Sequence, residues 1–353
     1  MEVENQAVSD GASLSSLLFS KKARVAQTFN DFVETEEYEK GFSKHYKENL
    51  LPLITGYEEK RVAAFNQARR SLFLFLPVFI LIPFLTYGVW VFWDFHEDVI
   101  EFTSWIALSV YAASYLYIKK SIRLYRSSIK TEIFPKIVGF IEGFSYEPEY
   151  NYDVRKYEKY DILPSYDLEV CEDHIRGTYK GLEIELVEAS LQKRKVFRRS
   201  KLDTKEVFSG LLIKLNVAKN FKGKTIITAD GGFVKNFFNE MGQELEYIKL
   251  EDPEFENVFE VYSDDQVDAR YLLTTSFMER LMDARKVFNS DKMKCSFFDK
   301  SLFLAVPLDK DMFEPGPINK PEDFIDDSKS LLKEIQAIFD ISDTLKLDMD
   351  IGT

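Results

Sequence analysis

Ser71–Trp93 reads SLFLFLPVFILIPFLTYGVWVFW, 23 residues without a charge. As a helix rising 1.5 Å per residue the run is about 34 Å long, enough to cross a hydrocarbon core of about 30 Å. Apolar side chains occupy every face, so no amphipathic stripe remains and the one-sided core helix of a soluble protein does not fit. Pro77 and Pro83 each remove a backbone hydrogen bond, a loss better tolerated inside a membrane bundle, and a kink is expected there. The reading is a first transmembrane helix.

A second uncharged run, Phe102–Ile118, FTSWIALSVYAASYLYI, reaches about 26 Å and sits at the low end for a span, leaving an interfacial or re-entrant segment as the alternative. Lys119 and Lys120 follow it and can snorkel to the interface, and Tyr111, Tyr115 and Tyr117 share its helix. Lys60, Arg61, Arg69 and Arg70 precede the first run, and Arg123, Arg126 and Lys130 lie beyond the second, whereas the link DFHEDVIE holds no Lys or Arg. The positive-inside rule then predicts an inner (cytoplasmic) membrane protein with two spans and both termini cytoplasmic. Arg69, Arg70, Lys119, Lys120 and Arg123 are expected to set this topology and to contact anionic lipid headgroups. The first residues, MEVENQAVSD, are acidic rather than basic, and no signal peptide is expected.

Averages conceal this pattern, because 45% hydrophobic and 30% charged residues describe an ordinary soluble chain. A formal net charge of −13 argues against wholesale nucleic-acid binding. Two cysteines, Cys171 and Cys295, argue against a disulfide framework and fit a reducing compartment.

The chain divides into a flexible tail (1–20), a cytoplasmic helical region (21–70), the two spans (71–93 and 102–118) around a short extracytoplasmic loop (94–101), a juxtamembrane helix and linker (119–160) and a cytoplasmic domain (161–345). Phe29, Phe32 and Val33 fall at helical spacing, Pro52 breaks or starts a helix, and YEEKRVAAFNQARR has no breaker before the first span. The tyrosine-rich FSYEPEYNYDVRKYEKYDILPSY is expected to pack on the sheet that follows. Strands are expected over 176–191 around Gly181, over 207–217, 225–229, 246–250 and 258–262, and over 294–306 with a turn at Asp299 and Lys300. Capping boxes at Ser263/Gln266 and Ser276/Glu279 announce two helices, and a last helix starts near Pro321. The fold class is α+β, an N-terminal helical region and two-helix transmembrane hairpin followed by a mainly antiparallel sheet with flanking helices.

Three stretches invite chemistry. AKNFKGKTIITAD resembles a phosphate-binding loop, but Ala218 replaces the first glycine and Thr225–Thr228 is β-branched where that loop needs a helix, so a turn between strands is the better reading. Cys171, Asp173 and His174 lie close together in VCEDHI, but the adjacent pair would point to opposite faces of a strand and the three histidines are scattered, so neither a metal nor a cofactor is expected. Asp264, Asp265, Asp268 and Arg270 in SDDQVDAR form the densest acidic cluster; Asp264 and Asp268, four apart, are placed on one helix face, where they could act as acid and base or favour the helix N-terminus.

The stretches FSGLLIKLNVAKNFKGKTIITAD, LEDPEFENVFEVYSDDQVDARYLLTTSFMERL and CSFFDKSLFLAVP resemble the bacterial domain of unknown function 3137 family, over roughly Lys60 to Pro315. The resemblance implies a two-span topology with no assigned activity, and places GKT in a strand-turn-strand passage. Two functions stay open. One is a membrane-anchored module whose partners are membrane lipids and a protein, a homo-oligomer included. The other is a membrane-associated enzyme using Asp264, Asp265, Asp268 and Arg270. A transporter or channel with two spans per chain would need oligomerisation, and neither span carries an ionisable residue to mark a pathway.

Overall fold

The computed structural model describes residues 14–19, 25–26, 28–150, 152–195, 203–217, 221, 223–229, 245–309 and 312–350. The chain forms two compact units. The first comprises Met1–Val33, Ser43–Ile133 and Glu314–Phe324; the second comprises Glu34–Phe42, Phe134–Phe313 and Ile325–Thr353.

The first unit is built on two long antiparallel helices, α1 (Leu51–Phe92) and α2 (Glu97–Glu132). Pro52 stands in the first turn of α1, where a missing N–H costs nothing, and Pro77 and Pro83 lie inside the continuous helix. The sides of α1 change abruptly along its length. Ile54, Tyr57, Arg61, Ala64, Ala68 and Leu72 are buried at three- and four-residue spacing, and no residue beyond Leu72 is. On α2 the mirror pattern holds: Ser114, Ile118, Ile122, Tyr125 and Ile129 are buried and nothing before Ser114 is.

Contacts along the pair fix its register. Trp90 Nε1 donates to Thr103 Oγ1 at 2.7 Å, the Phe79 and Tyr111 rings stack at 5.5 Å, Phe75 meets Tyr117 edge-on, and Tyr57 Oη donates to the Ser128 carbonyl at 3.1 Å. The second apolar run is thus the central part of a 36-residue helix. Leu14–Phe19 is a short helix within the expected tail, with Leu17 fully buried. Phe29, Phe32 and Val33, expected to be helical, lie in non-helical chain; Phe32 is buried 6.0 Å from the Tyr46 ring while Val33 points to solvent. The spacing alone did not reveal that Phe32 is buried and Val33 exposed.

The second unit is α+β. Among the described residues nine strands form one antiparallel sheet in the order β1-β2-β3-β4-β9-β8-β5-β7-β6. They are β1 (Phe144–Glu147), β2 (Leu168–Tyr179), β3 (Leu182–Lys195), β4 (Asp203–Asn216), β5 (Thr225–Thr228), β6 (Glu246–Ile248), β7 (Glu260–Ser263), β8 (Lys294–Phe298) and β9 (Ser301–Pro307). Lys180 and Gly181, with φ of 49° and 85°, form the two-residue turn between β2 and β3, and Asp299 (φ 59°) opens the turn between β8 and β9. The expected hairpins are therefore present.

The central strands are apolar on both faces because both are covered. On one side Val187, Ala189 and Leu191 of β3, Leu212 of β4 and Phe303 of β9 meet the tyrosine-rich segment through Tyr152, Tyr157 and Tyr160. On the other side lie α4 (Thr275–Val287) and α5 (Ile325–Asp350): Phe277 approaches Phe297 at 5.3 Å, and Phe339 stacks on Tyr179 at 3.8 Å.

Three expected helix starts move. Helix α3 (Gln266–Leu272) is capped by Asp265, whose carboxylate accepts from the N–H groups of Val267 and Asp268, so Ser263 is not the cap. Thr274, not Ser276, caps α4 by accepting from Phe277 N. Helix α5 begins at Ile325 rather than near Pro321, because Phe324 adopts φ 57°, incompatible with a helical turn.

Candidate functional site

The first candidate is the outer half of the hairpin. Leu74 (71% exposed), Phe84 (71%) and Phe92 (78%) on α1 and Phe102 (67%) on α2 stand for a surface on which most large apolar side chains face outward. In water such a surface is a liability far beyond the patch size of an ordinary monomer. In hydrocarbon it is matched on every side. Both helices are long and apolar enough to cross a membrane.

The two ends of this apolar belt differ chemically. At the loop end stand Trp90, Trp93 and Trp105, all three tryptophans of the chain, beside the acidic link with Asp94, Glu97, Asp98 and Glu101. Indoles favour the membrane–water boundary, and these went unused in the sequence reading although their positions were visible. At the other end stand Arg69, Arg70, Lys119, Lys120 and Arg123. The Arg69 guanidinium lies 5.7 Å from the Phe73 ring, and Lys119, with little exposure, places its ammonium 5.0 Å from the Tyr115 ring. Arg70, Lys120 and Arg123 are exposed.

Below this band the cations are neutralised. Arg61, 1% exposed, holds Glu58 in two hydrogen bonds of 2.6 and 2.7 Å, and its third arm donates to the Ile318 carbonyl. Glu58 also accepts from Ala26 N at 2.9 Å. Arg126 and Lys130 both reach Glu314 at 3.2 Å. Tyr46 Oη donates to the Asp323 carbonyl at 2.8 Å. Segment Glu314–Phe324 is therefore tied to the helices at several points, which local pattern could not show.

The acidic cluster does not converge. Asp264 precedes α3 rather than sharing a face with Asp268, and its Oδ1 accepts from Lys224 N at 2.7 Å. Asp265 is the cap, Asp268 is half-buried and Arg270 is exposed. In GKT the predicted strand is present as β5, and the Lys224 ammonium is buried against Asp161 and 4.7 Å from the Phe298 ring. Residues 218–220, 222 and 230–244 of that region lie outside the described residues.

A buried polar cluster on the β2–β3 pair was missed. Residues Glu172 to Ile175 form a bulge, with Asp173 at φ 53°, which turns both Asp173 and His174 inward. Alternation was expected to split Cys171, Asp173 and His174 between faces, and the bulge changes that. Tyr146 donates to Asp173, and Glu185 joins His174 Nε2 at 3.1 Å to Tyr157 Oη at 2.6 Å. Burial alone would raise the Glu185 carboxyl, but hydrogen bonds from His174 and Tyr157 and the Lys156 ammonium outweigh it and hold it at about 2. Burial pushes the Cys171 thiol up to about 12, so it is no thiolate nucleophile at neutral pH. Among the described residues no group of three or more His, Cys, Asp or Glu is placed to hold a metal ion.

Among curated proteins none matches. Among solved structures, the mycobacterial trehalose monomycolate transport factor A, TtfA, aligns at 11% identity over 55% of this chain and 88% of its own, with a TM-score of 0.28, too remote to define a shared fold. Residues 206–347, from β4 into α5, match the family model described as protein of unknown function (DUF3137). That stretch, which is similar to the family, holds strands β5 to β9, the acidic cluster and α4.

Proposed function

We propose that the chain is a two-span protein of a cytoplasmic membrane, and that its α+β unit is an anchored interaction module on the cytoplasmic side. The observation that carries the reading is the abrupt loss of burial past Leu72 on α1 and before Ser114 on α2. The belt so defined has indoles and carboxylates at one end and cations at the other. Glu314 and Ile318 are bound at the cationic end, so the chain leading into and out of that segment starts from the same membrane face.

The module reading is supported by how the titratable side chains of the second unit are used. Lys224 serves Asp161, Asp265 caps α3, and Glu185 joins His174 to Tyr157. These are structural roles, and they leave the acidic cluster without a shared reacting position.

The test replaces Cys171 and Cys295 with serine and introduces one cysteine at a time, at Asp98 or at Lys205. A membrane-impermeant maleimide applied to intact cells should label the first variant, and the second only after permeabilisation. Labelling of both from one side overturns the hairpin. For the module, in-cell crosslinking should enrich one specific protein that is lost when the second unit is deleted; recovery of lipid and chaperones alone overturns that part.

A further inference from the structure

We propose that the cationic band at the inner end of the hairpin is a binding site for anionic phospholipid, with phosphodiester headgroups seated on Arg70, Lys120 and Arg123. This rests on the two-span reading and adds a ligand class to it. The argument begins with register. Phe75 meets Tyr117 and Ser121 donates to the Ala64 carbonyl, so Arg69 and Arg70 on α1 stand level with Lys119 and Lys120 on α2. Two adjacent cations on each helix thus share one band, and Arg123 extends it by a turn.

Charge balance comes next. No Asp or Glu occurs from Lys60 to Trp93 or from Phe102 to Thr131. The carboxylates brought in from elsewhere stop below the band, Glu58 on Arg61 and Glu314 on Arg126 and Lys130. Arg70, Lys120 and Arg123 are exposed and make no ion pair with any described residue. Among the described residues, carboxylates meet Arg61, Arg126 and Lys130 below the band, and none is placed on these three.

Depth decides the source of the missing charge. Arg70 lies 24 residues before Asp94, about 36 Å along a helix, so the band falls at headgroup level when the loop is at the opposite surface. Tyr115 and Tyr117 line the same level and suit an interface. A phosphodiester fixed at that depth by its own acyl chains meets guanidinium and ammonium donors without diffusing to them.

The experiment uses the full chain in nanodiscs assembled from equal phosphatidylcholine and phosphatidylglycerol, with the lipid retained after a wash in neutral detergent quantified by mass spectrometry. The wild type should retain phosphatidylglycerol in excess, and R70Q/K120Q/R123Q should lose that excess, with a drop in preference on the order of fivefold per charge. R70K/R123K keeps the charge and should keep the enrichment, which separates charge from a folding defect. Equal retention of both lipids by the wild type overturns the proposal while leaving the two spans intact. Displacement of phosphatidylglycerol by millimolar inorganic phosphate also overturns it, since the ligand would then be a small anion. Failure of the wild type to enter nanodiscs at all overturns the two-span reading itself.

Discussion

Arg61 is buried at 1% exposure on a helix otherwise lined by Ile54, Tyr57, Ala64 and Leu72. A cation in that place is tolerated because every arm is used, two hydrogen bonds on Glu58 and one on Ile318. Removing one partner leaves the other charge stranded. Arg61→Ala should therefore destabilise the first unit by about 3–5 kcal/mol, whereas the double change Arg61→Met with Glu58→Met should recover most of that loss. Thermal unfolding followed by tryptophan fluorescence reads this directly, because all three tryptophans lie in the hairpin. Glu334 on α5 tests the opposite electrostatic case. Burial pushes its carboxyl up to about 7, against the smaller downward pulls of Ser330 and Lys333. Its unfolded value is about 4.3, so the folded state binds the proton more tightly. The contribution to stability is full below about pH 4 and is lost as pH rises through about 7. Glu334→Gln should stabilise the second unit by about 1–3 kcal/mol at pH 8, with little effect at pH 4; an equal change at both pH values would contradict this.

At the scale of elements, the hairpin makes a claim about depth. On the proposed two-span reading Trp90, Trp93 and Trp105 lie at the loop-end interface, so shallow brominated lipid should quench their emission more strongly than lipid brominated near the chain ends. Stronger quenching by the deep label would place the loop end inside the hydrocarbon. Helix α3 offers a second element-level test. Asp265→Ala removes two acceptor contacts at its N-terminus and should cost about 1 kcal/mol in denaturant unfolding of the second unit. Much of this architecture was legible in the sequence, and the reason is local. Uncharged runs, the Gly181 turn and the β-branched Thr225–Thr228 each carry their signal within a few residues. The helix starts were misplaced because Ser, Thr and Asp are near-equivalent caps, and local sequence does not separate Thr274, which accepts from Phe277 N, from Ser276. His174 was misread for a related reason: a bulge at Asp173 breaks the alternation on which the reading depended. Neither Glu314 nor Ile318 could be foreseen beside the hairpin, since 188 residues separate Glu314 from Arg126 and 257 separate Ile318 from Arg61.

For the whole molecule, the chain path matters more than any single contact. It passes from one unit to the other after Val33, Phe42, Ile133, Phe313 and Phe324, so neither unit is one continuous stretch. A cut anywhere between Glu34 and Phe324 divides both. The consequence is sharpest for Glu314–Phe324, which leaves the β9 side of the second unit, supplies Glu314 to Arg126 and Lys130 and the Ile318 carbonyl to Arg61, and then returns to begin α5. A chain ending at Tyr160 keeps both apolar helices and every topology signal, and it should still insert in the membrane. It would nevertheless leave a buried guanidinium one acceptor short and two cations without their carboxylate, a loss of about 1–3 kcal/mol for the unsatisfied buried group alone. Its tryptophan-detected melting should therefore fall below that of the full chain, and Glu314→Gln in the full chain should reproduce a small part of the fall. If the truncated hairpin melted at the same temperature as the intact protein, the segment would be a passive connection, and anchoring and the α+β unit would be linked by sequence alone. A lower melting point means that the stability of the two long helices depends on the acceptors that Glu314–Phe324 supplies to Arg61, Arg126 and Lys130.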